Sequence, residues 1–315
     1  MTLADDIREV YAQAPWFFTA VAAVFGATTG SFLNVCVYRI PKGMSVVTPG
    51  SRCACGTPIP WWRNLPVVAW LIWGRRSPCC GRGYSPRYAL VEAACAALFA
   101  ACAIVLPGPV AVAGMVFCAF LLVLGLIDLD TMYLPDSGNI GMGVAGLILS
   151  GLVPALHGHA HASTPVAGAL LSLGDAFTGM AVGTTSVYWF RLIAGRVMNR
   201  EAMGEGDVIL VGSIGAFLGW QGAVFSFFAG AVYGLLYVIF RTLTVRKPSE
   251  VERLRAASLA SYEGDEADEL IAAGTDMGIP FGPWIALGAV SYLLVFQSSV
   301  PAALNRFTEV FRDLR

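Results

Sequence analysis

Charged side chains are scarce in this sequence, since Asp, Glu, Lys and Arg together make up 13% of its 315 residues. Soluble domains carry roughly 25% charged residues, so this composition excludes an ordinary soluble domain. Hydrophobic side chains make up 57% of the chain, and the mean hydropathy is +0.67. The formal net charge of −1 gives no support for a nucleic-acid partner. The composition predicts an all-α polytopic protein embedded in a lipid bilayer.

Histidine is also scarce, and all three copies lie in one short stretch, "HGHAH", at His157, His159 and His161. We place this stretch in a loop outside the membrane, so a Ser–His or Cys–His catalytic centre at the opposite face is excluded. The three histidines could bind a metal ion, but a solvated loop is the simpler interpretation.

Apolar runs approaching the roughly 20 residues that a helix needs to cross a bilayer recur along the chain. We predict about eight transmembrane helices, near Trp16–Tyr38, Tyr88–Leu106, Pro109–Ile127, Gly138–Leu156, Asp175–Ile193, Val208–Leu218, Gln221–Phe240 and Pro283–Phe296. The sixth and seventh share the 33 residues of Val208–Phe240, which is short for two full crossings. Either the sixth helix begins before Asp207, or Asp207 lies within the membrane depth.

Basic residues set the predicted orientation, because Lys and Arg favour the cytoplasmic side. The segment Pro41–Arg87 holds seven basic residues and no acidic one, so it should be cytoplasmic and the N-terminus outside. Residues 128–137, 194–207 and 241–279 then fall inside. Residues 157–174, which lack Lys and Arg, fall outside.

Two aspartates stand at the ends of apolar runs. Asp128 opens "DLDTMYLPD", and Asp207 closes "GEGD". Two predicted crossings separate them, so both return to the same side of the membrane. Ionisable residues at this depth are functional candidates by default, and interfacial helix-end residues are the alternative. We interpret Asp130 and Asp136 as helix-end or turn residues.

If Asp128 and Asp207 meet, their chemistry follows from their charge. Two close carboxylates share one proton, so one member can activate a water while the other polarises a peptide carbonyl. Gly204 and Gly206 would support this motif by allowing unusual dihedral angles and close approach. Proteolysis by this route needs no cofactor.

The chain resembles the type IV prepilin peptidases, bifunctional leader peptidases and N-methyltransferases of bacterial inner membranes with a GxGD-type aspartic centre. The resemblance rests on "GSFLNVCVYRIP", "SRCACGTPIPWWRNLPVVAWL", "CGRGYSPRYALVE", "IDLDTMYLPD", "GEGD" and "IPFGPWIALGA", in this order along nearly the whole chain. It implies eight spans and places the catalytic aspartates, here Asp128 and Asp207, at the cytoplasmic face.

The resemblance also implies the substrates and the second activity. The enzyme would cut prepilins or pseudopilins after the glycine that ends a short basic leader. It would then methylate the new N-terminal amine with S-adenosylmethionine. Assembly proteins of a pilus or of type II secretion are further expected partners.

Four cysteines lie in the first cytoplasmic loop, at Cys53, Cys55, Cys79 and Cys80. Family members often carry two CxxC pairs here, whereas this chain has "CAC" and "PCC", with Ser77 where the second pair would begin. We expect the four thiolates to bind zinc, with unligated thiols as the alternative. A cytosolic disulfide is not expected.

Three polar residues in the intact N-terminal motifs are candidates near the methyl donor: Asn34, Arg39 and Glu92. Polar residues at a helix end would look the same, particularly Arg39.

The predicted organisation has three parts. Residues 1–40 form the outside segment and first span, 41–87 the cysteine-containing cytoplasmic loop, and 88–315 the peptidase domain. The last part contains an acidic cytoplasmic insertion at 242–278, which carries eight acidic residues. We interpret the insertion as a solvated, partly helical segment.

Two alternative functions remain at this stage. The altered cysteine spacing leaves room for a leader peptidase without methylation. A transporter could instead use Asp128 and Asp207 for protons or cations, although transport does not require the basic, cysteine-bearing loop.

Overall fold

The computed structural model describes residues 13–53, 55–59, 66, 72, 76, 77, 79–81, 83, 85–199, 203–244, 280–297, 299 and 300. Within these ranges the chain is helical, and its β-structure is confined to two isolated bridges, Arg52–Pro58 and Arg76–Gly83. Both bridges belong to the cysteine-containing loop. Most of the acidic insertion, from residue 245 onward, lies outside the described residues.

The main helices follow in chain order as α1 (Pro15–Arg39), α2 (Pro86–Val105), α3 (Gly108–Thr131), α4 (Asp136–Leu152), α5 (Pro165–Met198), α6 (Glu205–Thr244) and α7 (Gly282–Ser291). Short 3₁₀ turns occur at Ile40–Lys42 and Pro154–His157, and a π-helical turn at Tyr292–Phe296 continues α7.

Local sequence explains several helix ends. Ser85 and Thr164 precede α2 and α5, and each side chain accepts a hydrogen bond from a backbone NH in the first turn. Each is followed by proline at the first helical position, where no intrahelical NH partner is needed. Met132 and Asn199 end α3 and α5 in the left-handed conformation.

Five helices, α1, α2, α3, α5 and α6, are long and apolar enough to cross a membrane. Helices α4 and α7 are shorter. The chain is therefore an all-α polytopic membrane protein, as predicted from its composition. The number of eight spans stays a prediction.

Helix α6 is interrupted at Gly219, where the backbone has φ 68° and ψ −179°. Glycine adopts such angles readily, whereas other residues do so at a cost. The break separates an arm that begins at Glu205 from a longer arm that ends at Thr244. These arms correspond to the predicted spans Val208–Leu218 and Gln221–Phe240.

Two predicted boundaries are wrong. Helix α5 begins at Pro165, ten residues before the predicted start at Asp175, because Thr164 and Pro165 form a strong helix start. Much of the predicted outside loop 157–174 is therefore helical. Helix α4 begins at Asp136, two residues before the predicted start at Gly138, and Asp136 is therefore a helix-end residue as predicted.

Close packing between α5 and α6 depends on small residues. A Cβ atom on Gly179 would collide with the backbone of Gly215, and one on Gly183 would lie 2.9 Å from the carbonyl oxygen of Val211. Glycine lets two membrane helices approach this closely. Phe117 of α3 and Phe217 of α6 pack at the core, with ring centroids 4.8 Å apart. This packing fixes α6 beside its neighbours and so positions its N-terminus.

Candidate active site

Asp128 lies in the last turn of α3, where its carboxylate is held by the start of α7. The side chain is 5% exposed. Its Oδ2 atom accepts a hydrogen bond from the backbone NH of Gly282 at 2.9 Å. A Cβ atom on Gly282 would lie 2.7 Å from the same oxygen, so the approach requires glycine. Gly282 thereby joins the start of α7 to the first aspartate motif.

Asp207 lies in the first turn of α6 and is 8% exposed. Its carboxylate accepts a hydrogen bond from the backbone of Gly204, the residue before the helix. An acidic side chain that reaches back in this way satisfies a free NH and suits the positive end of the helix dipole. The helix begins at Glu205, two residues before Asp207, as in the first of the two alternatives that the sequence left open.

The fold brings the two carboxylates together. Asp128 acts electrostatically on Asp207 although 79 positions separate them in the sequence. Leu134 fills the space between their motifs: Cβ atoms added to Gly206 and Gly282 would lie 2.7 Å and 3.3 Å from it. Three segments, the end of α3 with its following loop, "GEGD" and "PFG" at the start of α7, therefore converge at one end of the bundle.

The two glycines of "GEGD" have different roles from those expected. Neither Gly204 nor Gly206 has a positive φ, so the expectation of unusual dihedral angles is wrong. Close approach holds for Gly206, which packs against Leu134. Gly204 is exposed, whereas burial begins at Gly206 and Asp207.

Asn139 is a further buried residue of this region, and the sequence analysis missed it. It lies in α4 with no exposed surface, and its Nδ2 atom donates to the carbonyl oxygen of Gly206 at 3.1 Å. Its position three residues after Asp136 carries no sequence signal, because the contact depends on how α4 packs against α6.

The other aspartates near Asp128 have separate partners or positions. Asp130 forms an ion pair with Arg87 of α2 at 2.7 Å, and both side chains are partly exposed. This ion pair shows that the Asp130 side chain leaves α3 in a different direction from that of Asp128. Asp136 begins α4.

The four loop cysteines form a cluster in which all Sγ atoms lie within 4.8 Å of one another. The Sγ atoms of Cys53 and Cys80 are 3.5 Å apart, and those of Cys55 and Cys79 are 3.3 Å apart. Tetrahedral zinc with Zn–S bonds of about 2.3 Å needs sulfur atoms about 3.8 Å apart. The cluster therefore fits a tetrahedral zinc site despite its unusual spacing.

Ser77 occupies the place of the cysteine that a regular CxxC pair would have. It is 2% exposed, and its hydroxyl lies 3.1 Å from the Sγ atom of Cys53 and 2.8 Å from that of Cys79. Hydrogen bonds from the Ser77 side chain and the backbone of Cys55 lower the pKa of Cys53 to about 6. The Thr57 hydroxyl likewise lowers the pKa of Cys55. A lowered pKa favours the thiolate that a metal requires.

Of the three candidates near the methyl donor, Asn34 and Arg39 lie on α1 and Glu92 lies on α2. Asn34 donates to the carbonyl of Tyr88 at 3.2 Å and ties α1 to α2. Glu92 is buried, and its backbone packs against Gly30 of α1. Arg39 donates to the carbonyl oxygens of Ser45 and Pro49, at 2.9 and 2.7 Å, and holds the loop after α1.

A groove of about 390 Å³ lies between the C-terminal end of α1 and this loop. Its walls are mainly apolar, with Arg39 and a few hydroxyl groups as polar members. The lining includes Thr28, Ser31, Phe32, Val35, Arg39 and Val47. Ligand pockets of small molecules commonly measure about 300–1,000 Å³ and combine apolar walls with few polar groups. Arg39 is the one predicted cofactor residue that lines this groove.

The histidine stretch does not form a metal site in the described part of the chain. His159 pairs with Asp175 at 2.7 Å, and His161 is exposed. His157 turns inward and contacts the Ser150 hydroxyl at 3.0 Å and the Ala216 carbonyl at 3.2 Å. The interpretation of a solvated loop therefore applies to His161, whereas the other two histidines have structural partners.

Two family models match the chain. One, described as "Bacterial Peptidase A24 N-terminal domain", matches residues 24–106, and the other, described as "Type IV leader peptidase family", matches residues 115–239. The first region includes the cysteine cluster, and the second includes Asp128 and Asp207.

Several relatives carry the name "Prepilin leader peptidase/N-methyltransferase". One from Klebsiella pneumoniae is 34% identical over 68% of this chain and 91% of its own length. One from Myxococcus xanthus is 32% identical over 90% of this chain and 93% of its own. One from Aeromonas hydrophila is 31% identical over 93% of this chain and 96% of its own. No solved structure gives a significant match.

Proposed function

The chain belongs to the type IV leader peptidase family, and from this premise we propose that Asp128 and Asp207 are its catalytic pair. The protein is an enzyme that cleaves the leader from prepilins and N-methylates the product. The observation that carries the residue assignment is the convergence of two buried carboxylates from the ends of α3 and α6. The transporter alternative has no support among the relatives named above.

The geometry supports a hydrolytic role for each carboxylate. One oxygen of Asp128 is held by the Gly282 NH, and Asp207 is held by the Gly204 backbone. Both carboxylates are thereby oriented before the substrate arrives. The ionised member removes a proton from water, and the protonated member donates a hydrogen bond to the scissile carbonyl.

The atoms balance without a metal or a covalent intermediate. Water oxygen forms a bond to the carbonyl carbon, and its proton passes to the ionised aspartate. The C–N bond then breaks, and the departing amine receives a proton from the pair. The products are a leader with a new carboxyl end and a mature protein with a free amine.

We place this site at the cytoplasmic face of the bacterial inner membrane. From Asp207 to the break at Gly219, α6 rises about 18 Å, at 1.5 Å per residue. The hydrocarbon core is about 30 Å thick, so a break at the outer surface would put Asp207 roughly 10 Å inside the inner boundary. A peptide bond beside the transmembrane helix of a prepilin or pseudopilin would be within reach at this depth.

We assign the second activity to the N-terminal third of the chain. The name of the relatives implies S-adenosylmethionine as methyl donor, and the groove beside Arg39 fits its chemistry. The apolar wall would contact the adenosyl part, and the Arg39 guanidinium would face the carboxylate. The bound cofactor would supply an electrophilic methyl group for the new amine. We propose zinc in the four-cysteine cluster, where it would fix the loop that borders this groove.

Substitution of each aspartate tests the peptidase proposal. Asp128→Asn and Asp207→Asn keep the size of the side chain but remove the group that exchanges protons. We expect each to lower prepilin cleavage ~10³-fold or more in detergent, with membrane insertion and unfolding temperature close to those of the parent. Asp130→Asn is the matched control, since Asp130 pairs with Arg87 at the surface, and it should retain cleavage. Retained cleavage in either Asp128→Asn or Asp207→Asn would contradict the assignment.

A further inference from the structure

Asn139 connects α4 to the residue that precedes Asp207. Its side chain has no exposed surface, and its Nδ2 atom donates to the Gly206 carbonyl oxygen at 3.1 Å. This carbonyl belongs to the peptide group that Gly206 shares with Asp207. A rotation of that peptide group would move the Asp207 side chain relative to Asp128.

The same peptide group is also restrained by packing. A Cβ atom on Gly206 would lie 2.7 Å from the Cβ atom of Leu134, so the chain at Gly206 fits closely against the loop that follows α3. Packing limits the position of the chain at Gly206, whereas a hydrogen bond to the Gly206 carbonyl oxygen also limits rotation of the peptide group. The Asn139 amide therefore adds an orientational restraint that Leu134 cannot supply.

A second bond joins the same two helices without touching this peptide group. The Ser213 hydroxyl donates to the backbone carbonyl oxygen of Asn139 at 2.8 Å. Ser213 lies six residues beyond Asp207, about 9 Å further along α6. The two bonds therefore allow the docking of α4 on α6 to be separated from the restraint on Gly206.

The remaining atom of the Asn139 amide argues against a purely stabilising role. Its Oδ1 atom is buried and has no hydrogen-bond partner in the part of the chain that the structure describes. A buried acceptor without a partner lowers stability, and an apolar side chain of the same size would avoid this cost. The benefit of asparagine here must come from its donor, which reaches Gly206.

We infer that Asn139 is a positioning residue for Asp207: by holding the Gly206 carbonyl, it orients the catalytic carboxylate towards that of Asp128. This inference rests on the proposed role of the two aspartates. Direct contact between Asn139 and substrate does not fit its complete burial. The effect of Asn139 should therefore appear in the catalytic step and not in substrate binding.

Asn139→Leu tests the inference, because leucine has the same number and branching of side-chain heavy atoms as asparagine and lacks both the donor and the unpartnered acceptor. We expect kcat for prepilin cleavage to fall about 10- to 100-fold, as for a small misplacement of a catalytic group, with KM within about twofold of the parent. The unfolding temperature should stay the same or rise. Ser213→Ala, the matched control, should keep kcat within about twofold although it removes a bond between the same helices.

Three outcomes would overturn the inference: an unchanged kcat in Asn139→Leu, an equal loss in Ser213→Ala, or a rise in KM without a fall in kcat. Asn139→Ala provides a second variant if the leucine protein does not accumulate, with the same expected pattern of kcat and KM. Asp207→Asn is assayed beside them. If Asp207→Asn retains cleavage, the proposed function fails; if it is inactive while both Asn139 variants are fully active, the positioning role alone fails.

Discussion

Among single residues, Gly282 restricts the position of the Asp128 carboxylate in two ways. Its NH donates to Asp128, and its missing side chain leaves room for the same carboxylate oxygen. An added methyl group would meet Oδ2 at 2.7 Å and Cγ at 3.2 Å. Both distances are too short for undisturbed contact, so either the carboxylate or the start of α7 must shift.

We therefore predict that Gly282→Ala lowers kcat for prepilin cleavage about 10- to 100-fold while the protein still folds. Gly174→Ala in α5 is the matched control, since nothing lies within 4 Å of the added atom. It should leave cleavage unchanged and stabilise the helix by about 0.5–1 kcal/mol. Steady-state kinetics with a purified prepilin and thermal unfolding of both variants provide the measurement. Equal activity of the two variants would show that Asp128 does not need the Gly282 geometry.

At the scale of single residues, the sequence allows a residue to be selected where its surroundings mark it as unusual. Asp128 and Asp207 could be selected because a charge beside an apolar run is costly and therefore conspicuous. Asn139 and Leu134 could not be selected, since each acts through a contact between helices that no local pattern encodes. Arg39 was selected, but its bonds to Ser45 and Pro49 give it a structural role as well.

At the level of elements, the break in α6 is the feature that most needs support. Where a helix is interrupted, carbonyl groups before the break lose the backbone NH, four residues further along the chain, that would otherwise donate a hydrogen bond to them. The Ala216 carbonyl, just before the break at Gly219, receives hydrogen bonds from the Ser150 hydroxyl at 3.1 Å and from His157 Nε2 at 3.2 Å. Ser150 and His157 therefore join the end of α4 and its following turn to the broken helix.

This arrangement predicts a pH dependence of stability. Burial lowers the pKa of His157 below its usual value of 6.5, although the bond to Ala216 and the charge of Asp175 act in the opposite direction, while His159 adds to the lowering. The unfolded chain therefore binds a proton more readily than the folded one. The contribution of neutral His157 to the free energy of unfolding is fully present above about pH 6.5, and it declines as the pH falls below that value.

Thermal unfolding in detergent between about pH 5 and pH 7.5 measures this contribution. The parent should lose stability towards the acidic end, and His157→Gln should show a smaller loss. His161→Gln is the control, because His161 is exposed and should leave the profile of the parent unchanged. Identical profiles for the parent and His157→Gln would contradict a buried, neutral His157.

Element boundaries show where sequence patterns were informative and where they were not. The two arms of α6 were predicted as the separate spans Val208–Leu218 and Gln221–Phe240. The break at Gly219 lies between these two spans. The early start of α5 was missed although its first ten residues, "PVAGALLSLG", are mostly apolar and Thr164 and Pro165 supply a helix start signal.

On the scale of the whole molecule, the proposed sites for the two activities occupy different elements. The cysteine cluster and the groove beside Arg39 belong to α1 and the loop that follows it, whereas the aspartates belong to α3 and α6. Arg87 and Asp130 link α2 to α3 by an ion pair with both side chains partly exposed. Such a pair contributes about 0–1 kcal/mol, and the two proposed sites share no described residue, so we expect each activity to survive damage to the other site.

We therefore predict that each of the two activities can be removed by substitution without loss of the other. Cys79→Ser should lose bound zinc, measured by elemental analysis, and lose most N-methylation, because the loop beside the groove is no longer held by the metal. It should still cleave prepilin. Asp207→Asn should lose cleavage but methylate a synthetic peptide that already begins with the mature N-terminus.

Ser77→Ala is the matched control and should keep its zinc, since the hydroxyl touches two sulfur atoms but is not among the four thiol ligands. Mass spectrometry of the peptide termini separates cleavage from methylation in each variant. If Cys79→Ser lost cleavage while keeping the unfolding temperature of the parent, the cysteine loop would have to act in proteolysis, and the assignment of the two activities to separate elements would be wrong.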